Sequence, residues 1–263
     1  MLSPEHTPVH GNRASISQTP TRILVAKASR FDADIVAQSA RSVCPSAEVH
    51  VCFDGRQALA LTANLRMDLS LIGLNLPDID GLDLCDHLAG EDRAARLLLV
   101  AEHITETTAR LMPISRIDGF FDCSVETAGA LAPAIRAVAE GTAHYSYSPR
   151  QARIRTTEGR IPLDLTLSPA ELLVFAALGG EWSDQEAATH LGLSIGTVLT
   201  QLKCVMRKLN VRSRAELNRE AIRRGVVRIS GNNVIRPGMD RAMASRIARR
   251  RTFGAVEAIQ TIR

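Results

Sequence analysis

Four residues in the C-terminal half of the chain have the types and spacing needed to contact a nucleic acid. Gly196, Thr200, Lys203 and Arg207 recur at helical intervals, which places them on one face of a helix. A small residue, a hydroxyl and two long cations suit a helix in the major groove of DNA, where side chains reach base edges and phosphates. An ordinary solvated face on a helical bundle is the alternative.

Local start signals predict the helices that must position this row. Three serines stand three residues before a glutamate, as in a capping box, where the serine accepts the third helical N–H and the glutamate reaches back. These pairs are Ser168–Glu171, Ser183–Glu186 and Ser213–Glu216. With a fourth start at Ser194, the predicted helices are 169–178, 184–191, 195–209 and 214–224.

The second and third of these helices form a helix-turn-helix. A tight turn containing Gly192 separates them, which is the spacing that this motif requires. The third helix has an apolar stripe opposite the polar row, and this stripe is expected to be buried. Its members are Val198, Leu202, Val205 and Leu209.

Charge is divided unevenly along the chain. Residues 1–144 contain 12 basic and 18 acidic residues, a net charge of −6, whereas residues 145–263 contain 20 and 10, a net charge of +10. A segment this basic suits nucleic acid or an anionic membrane surface, although a basic domain with a solvated face is also possible. No apolar run approaches the ~18 to 20 residues that cross a bilayer, so no membrane partner is predicted.

The N-terminal half alternates short apolar runs with helix-like stretches. The runs predict strands at 22–27, 48–53, 68–74, 96–101 and 119–122. Helices are predicted between and after them at 31–43, 55–66, 80–89, 104–112 and 125–140. This alternation predicts a parallel sheet covered on both faces. The fold class is therefore α/β, a doubly wound (βα)5 domain followed by an all-α four-helix domain.

Composition sets the predicted domain limits. Residues 1–20 lack periodicity and are predicted to be a flexible tail, before the α/β domain at 21–141. Residues 142–166 are rich in turn residues and are predicted to be a linker with a short hairpin around Glu158–Gly159. The helix-turn-helix domain is assigned to 167–227, and an arginine-rich, basic extension with one helix to 228–263.

Cysteine and histidine spacing excludes several chemistries. The five cysteines form no C-x-x-C pair, and their odd number argues against a disulfide framework. With no apolar signal segment at the start, a reducing cytoplasm is expected. The histidines at 50, 87, 103 and 190 have no ligand spacing, so no metal, cofactor or catalytic residue is assigned and no enzyme is predicted.

The segment from Leu167 to Leu217 resembles the DNA-binding domain of the LuxR/NarL/FixJ class. The matching motifs are Thr197-Val198, Lys208-Leu209 and Val211-x-Ser213-Arg214. The resemblance implies that the third helix enters the major groove of double-stranded DNA and that the fourth supports a homodimer. Leu199, Thr200 and Gln201 depart from the family's Lys, variable residue and His, and Leu173 replaces the second acid of the first helix.

This resemblance completes the predicted DNA-binding set. Lys203 falls where the family often places a base-contacting cation, and the later cations are expected to contact phosphates. The full set is Ser194, Gly196, Thr197, Thr200, Gln201, Lys203, Arg207, Lys208, Arg212 and Arg214.

The segment from Leu74 to Leu82 resembles the L-N-M-P-x-M-D-G-L loop of response-regulator receivers. Receivers bind Mg²⁺ through an acidic pair, phosphorylate an Asp, and contact the phosphoryl group through a Ser/Thr and a Lys. The residues at these five positions here are Lys27, Ala28, Gly73, Ala101 and Cys123. Mg²⁺ needs carboxylate oxygens and Gly73 has no side chain to modify. The resemblance therefore implies a receiver that works without aspartyl phosphorylation.

These lines converge on a sequence-specific DNA-binding transcription regulator with an atypical receiver. One alternative is a two-component response regulator switched at a non-standard acceptor, or by a ligand, a partner or a thiol signal at Cys123, whose pKa Lys27 could lower. Another is an adaptor that binds a kinase or an anionic surface through the arginine-rich tail. RNA polymerase or a regulatory protein is left open as a further partner.

Overall fold

The computed structural model describes residues 20–91 and 94–244, which divide into two compact units. The first unit comprises residues up to Gly159 together with Ser230–Ile235, and the second comprises Arg160–Ile229 and the residues from Arg236 onward. Apart from Pro20, the predicted N-terminal tail lies outside the described residues. The same is true of 245–263 in the predicted C-terminal extension.

The first unit is built on a six-stranded parallel sheet. Its strands are β1 (Arg22–Ala26), β2 (Glu48–Cys52), β3 (Met67–Gly73), β4 (Ala94–Ala101), β5 (Gly119–Asp122) and β6 (His144–Tyr145). Its helices are α1 (Arg30–Val43), α2 (Gly55–Thr62), α3 (Gly81–Gly90), α4 (Glu106–Leu111), α5 (Ala128–Ala139) and α6 (Pro149–Thr157). The strand order is β2-β1-β3-β4-β5-β6, and all neighbours are parallel.

Helices cover both faces of this sheet because alternate strand residues point in opposite directions. Ile23 and Val25 join a buried cluster with α1 and α5 on one face. Leu24 and Ala26 join a second cluster with α2, α3 and α4 on the other. The predicted doubly wound fold is therefore confirmed, with the strand and helix limits close to those expected.

The segment 142–166 contains more structure than the linker expected there. It holds β6, α6 and a short helix, α7 (Leu163–Thr166), and Tyr147 and Ala152 are buried in the first unit. The predicted hairpin at Glu158–Gly159 is wrong: both residues have positive φ, but the turn joins two helices. Ser148 and Gln151 form a capping box at the start of α6, a signal that the sequence carries and that the prediction missed.

The second unit contains the four predicted helices. They are α8 (Pro169–Leu178), α9 (Asp184–Leu191), α10 (Ile195–Leu209) and α11 (Arg214–Arg223). Along the chain, a hairpin of β7 (Arg228–Ser230) and β8 (Asn233–Ile235) follows, where only a basic extension was expected. Its residues Ser230–Ile235 belong to the first unit. Residues 239–244 are helical, which agrees with the start of the helix predicted there. Within the described ranges, no helix combines the length and apolarity needed to cross a membrane.

Two of the three predicted capping boxes form as expected, at Ser168 and Ser183. At Ser213 only half of the box is present. Its hydroxyl accepts the N–H of Glu216, but the Glu216 carboxylate accepts the N–H of Arg212 rather than that of Ser213. Ser213 has φ −139°, against −68° for Ser168 and Ser183, and this rotation turns its own N–H away from the glutamate.

Candidate nucleic-acid interface

The start of α10 is set by a short turn after α9. Gly192 ends α9 with φ 58°, a left-handed conformation in which glycine avoids the steric cost of a Cβ. The N–H of Leu193 then donates to the carbonyl of Ala188 at 2.9 Å, and the Ser194 hydroxyl accepts the N–H of Thr197 at 3.1 Å. The turn and the cap together orient α10 against the rest of the unit.

The two faces of α10 divide as their residue types predict. Val198, Leu202 and Val205 are buried, while Leu209 at the end of the stripe is half-buried. The opposite row is solvent-exposed: Gly196, Thr200, Lys203 and Arg207. Among the described residues, the side chains of Lys203 and Arg207 have no ion-pair partner, so both cations are available to an external anion.

The other residues of the predicted DNA-binding set occupy different settings. Ser194, Thr197 and Arg212 are exposed, whereas Gln201 is half-buried on the flank of α10 away from Lys203. Lys208 and Arg214 pair with other groups of the unit, although their side chains remain 37% and 40% exposed. Nζ of Lys208 lies 2.7 Å from the Glu171 carboxylate, and Arg214 donates to the Trp182 carbonyl and lies 3.5 Å from Asp184.

Glu171 is the centre of a link between α8 and α10. Its side chain is 8% exposed and also accepts the N–H of Ser168 at 2.7 Å. Burial by itself would raise the pKa of this carboxyl group, but the hydrogen bonds from Lys208 and Ser168 outweigh burial and hold the pKa below its ordinary value. Lys208 therefore stabilises the helical packing that presents α10.

In the first unit, Lys27 covers Gly73, the residue that the sequence predicts at a receiver's phosphoacceptor position. The Lys27 side chain is 4% exposed and donates to the Glu102 carboxylate. A Cβ added at Gly73 would stand 2.8 Å from Cδ of Lys27 and 3.1 Å from the Ala26 carbonyl oxygen. The lysine stem thus occupies the space into which a side chain at position 73 would extend.

The other residues that the sequence predicts at receiver positions supply no replacement carboxylate. Ala28 and Ala101 have no polar side chain, and Cys123 is tied to the end of β4 by its N–H, which donates to the Ala101 carbonyl at 2.8 Å. Desolvation raises the pKa of the Cys123 thiol, and the Glu102 carboxylate raises this pKa further. The Lys27 ammonium group lowers it, but only enough to offset part of the effect. The lowered pKa that would favour thiol sensing is not found here.

Two nearby aspartates are engaged in helix capping. The Asp78 carboxylate accepts the N–H groups of Gly55 and Arg56, at 2.7 and 2.9 Å, at the start of α2. Asp80 is 2% exposed and accepts the N–H of Leu82 at 3.0 Å, at the start of α3. Both carboxylates therefore satisfy orphan helical N–H groups.

Glu102 and Trp182 have roles that sequence reasoning missed. Glu102 directly follows the Ser/Thr position of the receiver, and an acid beside that position could have suggested a partner for Lys27. The Trp182 indole stacks on His190 with ring centroids 4.1 Å apart, and the Arg236 guanidinium lies 3.9 Å from the same ring. Arg236 also donates to the Ala176 carbonyl, which ties the segment after β8 to α8. No local pattern predicts that contact.

Comparisons with known proteins agree with this division. The family described as "Response regulator receiver domain" matches residues 32–122, and "Bacterial regulatory proteins, luxR family" matches residues 165–221. The nitrate/nitrite response regulator NarP of Escherichia coli strain K12 is 30% identical over 166 residues, which are 61% of this chain and 75% of that protein. A homologous regulator of Haemophilus influenzae is 26% identical over 160 residues, 61% of this chain and 76% of its own length.

Solved structures of similar proteins include a complex of the response regulator RcsB with DNA. It covers 76% of this chain and 96% of its own, with 19% sequence identity and a TM-score of 0.47. The response regulator ChrA of a heme-sensing two-component system covers 78% of this chain and 97% of its own, with 20% identity and a TM-score of 0.45.

Proposed function

This chain belongs to the NarL/FixJ-type response regulators, DNA-binding transcription regulators that join a receiver domain to a LuxR-family domain, and we propose that its receiver acts without aspartyl phosphorylation. The observation that carries this proposal is the side chain of Lys27, which passes over Gly73 and pairs with Glu102. A cation therefore fills the space that Mg²⁺ and an acceptor carboxylate need.

Charge and geometry support the proposal together. Mg²⁺ is bound through carboxylate oxygens, and a buried ammonium group in the same space would repel it. A non-standard acceptor is disfavoured because Asp78 and Asp80 already cap α2 and α3. Phosphorylating either aspartate would compete with its helix cap, and a lost cap costs about 1 kcal/mol.

The proposed DNA contacts divide into base-reading and phosphate-binding residues. Thr200 and Lys203 face base edges, with Gly196 leaving room for a close approach, while Arg207 and Arg212 bind phosphates. Ser194, Thr197, Gln201, Lys208 and Arg214 complete the predicted set, the last two acting mainly by supporting the fold. Binding as a homodimer and contact with RNA polymerase or a regulatory protein remain predictions.

The test combines a chemical phosphodonor with a DNA-binding measurement. The full chain is incubated with acetyl phosphate and Mg²⁺, beside a response regulator that retains the acidic pair and the acceptor aspartate. Intact mass and affinity for a selected operator are then measured for both. The expected result is an unchanged mass and an unchanged affinity for this chain, while the control protein gains a phosphoryl group.

A phosphoryl adduct on an aspartate, accompanied by tighter DNA binding, would contradict the proposal. The Asp78→Asn and Asp80→Asn variants would then identify the acceptor. If the adduct formed and DNA affinity still did not change, the acceptor would be chemically competent but the receiver would remain independent of it.

A further inference from the structure

The exposed side of α10 carries two large apolar side chains beside its cations. Ile195 is 42% exposed and Leu199 is 38% exposed, four residues apart on the same helix. Lys203 follows four residues after Leu199, so the three side chains form one ridge along the helix surface. Single exposed apolar residues are common, but this pair leads directly into the predicted base-reading cation.

The position of Leu199 on the helix separates it from the core stripe. At about 100° per residue, Leu199 lies about 40° from Lys203 and about 100° from Val198. It therefore stands on the flank of the exposed row that Lys203 also occupies, while Gln201 lies on the other flank. Leu199 and Lys203 can reach neighbouring base edges in the same groove.

The polar chemistry of the row is limited by an internal hydrogen bond. The Thr200 hydroxyl donates to the Gly196 carbonyl at 2.8 Å. While it makes this bond, the Thr200 hydroxyl can accept a hydrogen bond from a base but does not donate one. The neighbours of Lys203 on this ridge, Leu199 and Ile195, therefore offer a base edge an apolar contact.

In the major groove, the apolar feature of a base edge is the C5-methyl group of thymine, whereas lysine donates to O6 and N7 of guanine. We propose that Leu199, supported by Ile195, recognises thymine methyl groups within about two base pairs of a guanine contacted by Lys203. The spacing follows from a rise of about 6 Å over four helical residues and about 3.4 Å per base step. The occupant of this surface is thus a T- and G-containing DNA half-site, and the inference rests on the proposed DNA contacts of α10.

The experiment removes single methyl groups from the DNA. An operator is first selected from random duplexes with the full chain, and each thymine is then replaced in turn by deoxyuridine. We expect one or two positions per half-site at which the replacement weakens binding about fourfold, the value of one buried methyl-sized group. Leu199→Ala should bind the thymine and deoxyuridine operators equally well, because its methyl contact is already lost.

Ile222→Ala is the matched control, since Ile222 is 46% exposed but lies on α11. This variant should keep the fourfold preference for thymine even if its overall affinity changes. An unchanged thermal unfolding temperature for Leu199→Ala would show that this variant keeps its fold.

The outcomes distinguish a failure of methyl recognition from a failure of the proposed sequence-specific DNA binding. If no operator is selected, sequence-specific DNA binding itself fails. If an operator is selected but Leu199→Ala retains the same preference for thymine over deoxyuridine, methyl recognition by Leu199 is overturned while DNA binding stands. A wild-type chain that is insensitive to every deoxyuridine replacement would overturn it equally.

Discussion

Two lysines five residues apart on α10 have different surroundings. Lys203 is exposed and has no ion-pair partner in the described structure, whereas Lys208 is bound to the nearly buried carboxylate of Glu171. Helical spacing made Lys203 a candidate DNA contact, and the resemblance to the LuxR/NarL/FixJ class made Lys208 one. What distinguishes them is a glutamate on another helix, so the two lysines should respond differently to the same substitution.

Lys203→Ala should lower the discrimination between operator and random DNA about tenfold, within the 1 to 3 kcal/mol typical of a good base contact, and leave stability unchanged.

Lys208→Ala should instead lower the free energy of unfolding by roughly 1 to 2 kcal/mol at pH 7, because the Glu171 carboxylate loses its charged donor. Competition binding and urea titration measure the two effects.

The pH dependence of Lys208→Ala provides a second readout. Because the pKa of Glu171 is lowered in the folded state, its contribution to stability is present above the unfolded pKa and is lost as pH falls through the folded pKa. The stability difference between the wild type and Lys208→Ala should therefore shrink in acid. A difference that persists below that range, or a Lys203→Ala variant with full discrimination, would refute these assignments.

At the scale of elements, β6 and α6 extend the first unit beyond its fifth βα repeat. Tyr147 stands between them, packs edge-on against Phe120 at 5.5 Å, and donates its hydroxyl to the buried carboxylate of Asp122. Ala152 is fully buried on the inner side of α6, and Arg150 is exposed. The segment is therefore part of the packed domain rather than a free connector.

Substitutions in the full chain can test this assignment. Tyr147→Ala should lower the free energy of unfolding by about 3 to 5 kcal/mol, as for other large-to-small changes of a buried aromatic residue. Tyr147→Phe should cost about 1 to 3 kcal/mol, since Asp122 loses a hydrogen-bond donor. Arg150→Ala, on the outer side of α6, is the control and should stay within about 0.5 kcal/mol of wild type.

Urea unfolding of the three variants provides the measurement. Wild-type stability in Tyr147→Ala would mean that residues 144–157 behave as the linker that their composition suggests. A similar loss of stability in Arg150→Ala would show that α6 is merely sensitive to change.

At the scale of the whole molecule, the two halves of the chain carry net charges of opposite sign. The excess of acid lies in the half that contains the receiver, and the excess of base lies in the half that contains the LuxR-family domain. Exposed cations on and after α10 should dominate association with DNA, since phosphate contacts release condensed counterions. The salt dependence of binding therefore reports which arginines face the phosphates.

Operator affinity should fall steeply with rising salt concentration. Arg207→Gln and Arg212→Gln should each reduce the slope of log K against log salt by about 0.9 per protomer. Arg41→Gln, an exposed substitution on α1 of the receiver, should leave the slope unchanged. Fluorescence anisotropy over a salt series checks this, and equal slopes for all three variants would exclude the proposed phosphate contacts.

The sequence by itself determined the helices of the DNA-binding unit and the main strands of the receiver. Caps at Ser168, Ser183 and Ser194 and the turn at Gly192 are signals read within a few residues, so they locate the ends of α8, α9 and α10. The loop from Leu74 to Leu82 likewise predicts Gly73 at the acceptor position. Short elements such as β6 and β7 escaped because two or three residues show no periodicity.

Only the tertiary structure decided which polar groups face each other. The pairs Lys27–Glu102, Lys208–Glu171 and Tyr147–Asp122 join residues 75, 37 and 25 positions apart. Such pairs form because folding buries a charged or polar group beside a partner from another element, and a linear pattern does not encode that proximity. The position of the Lys27 side chain over Gly73 and the Lys208–Glu171 link both follow from this burial.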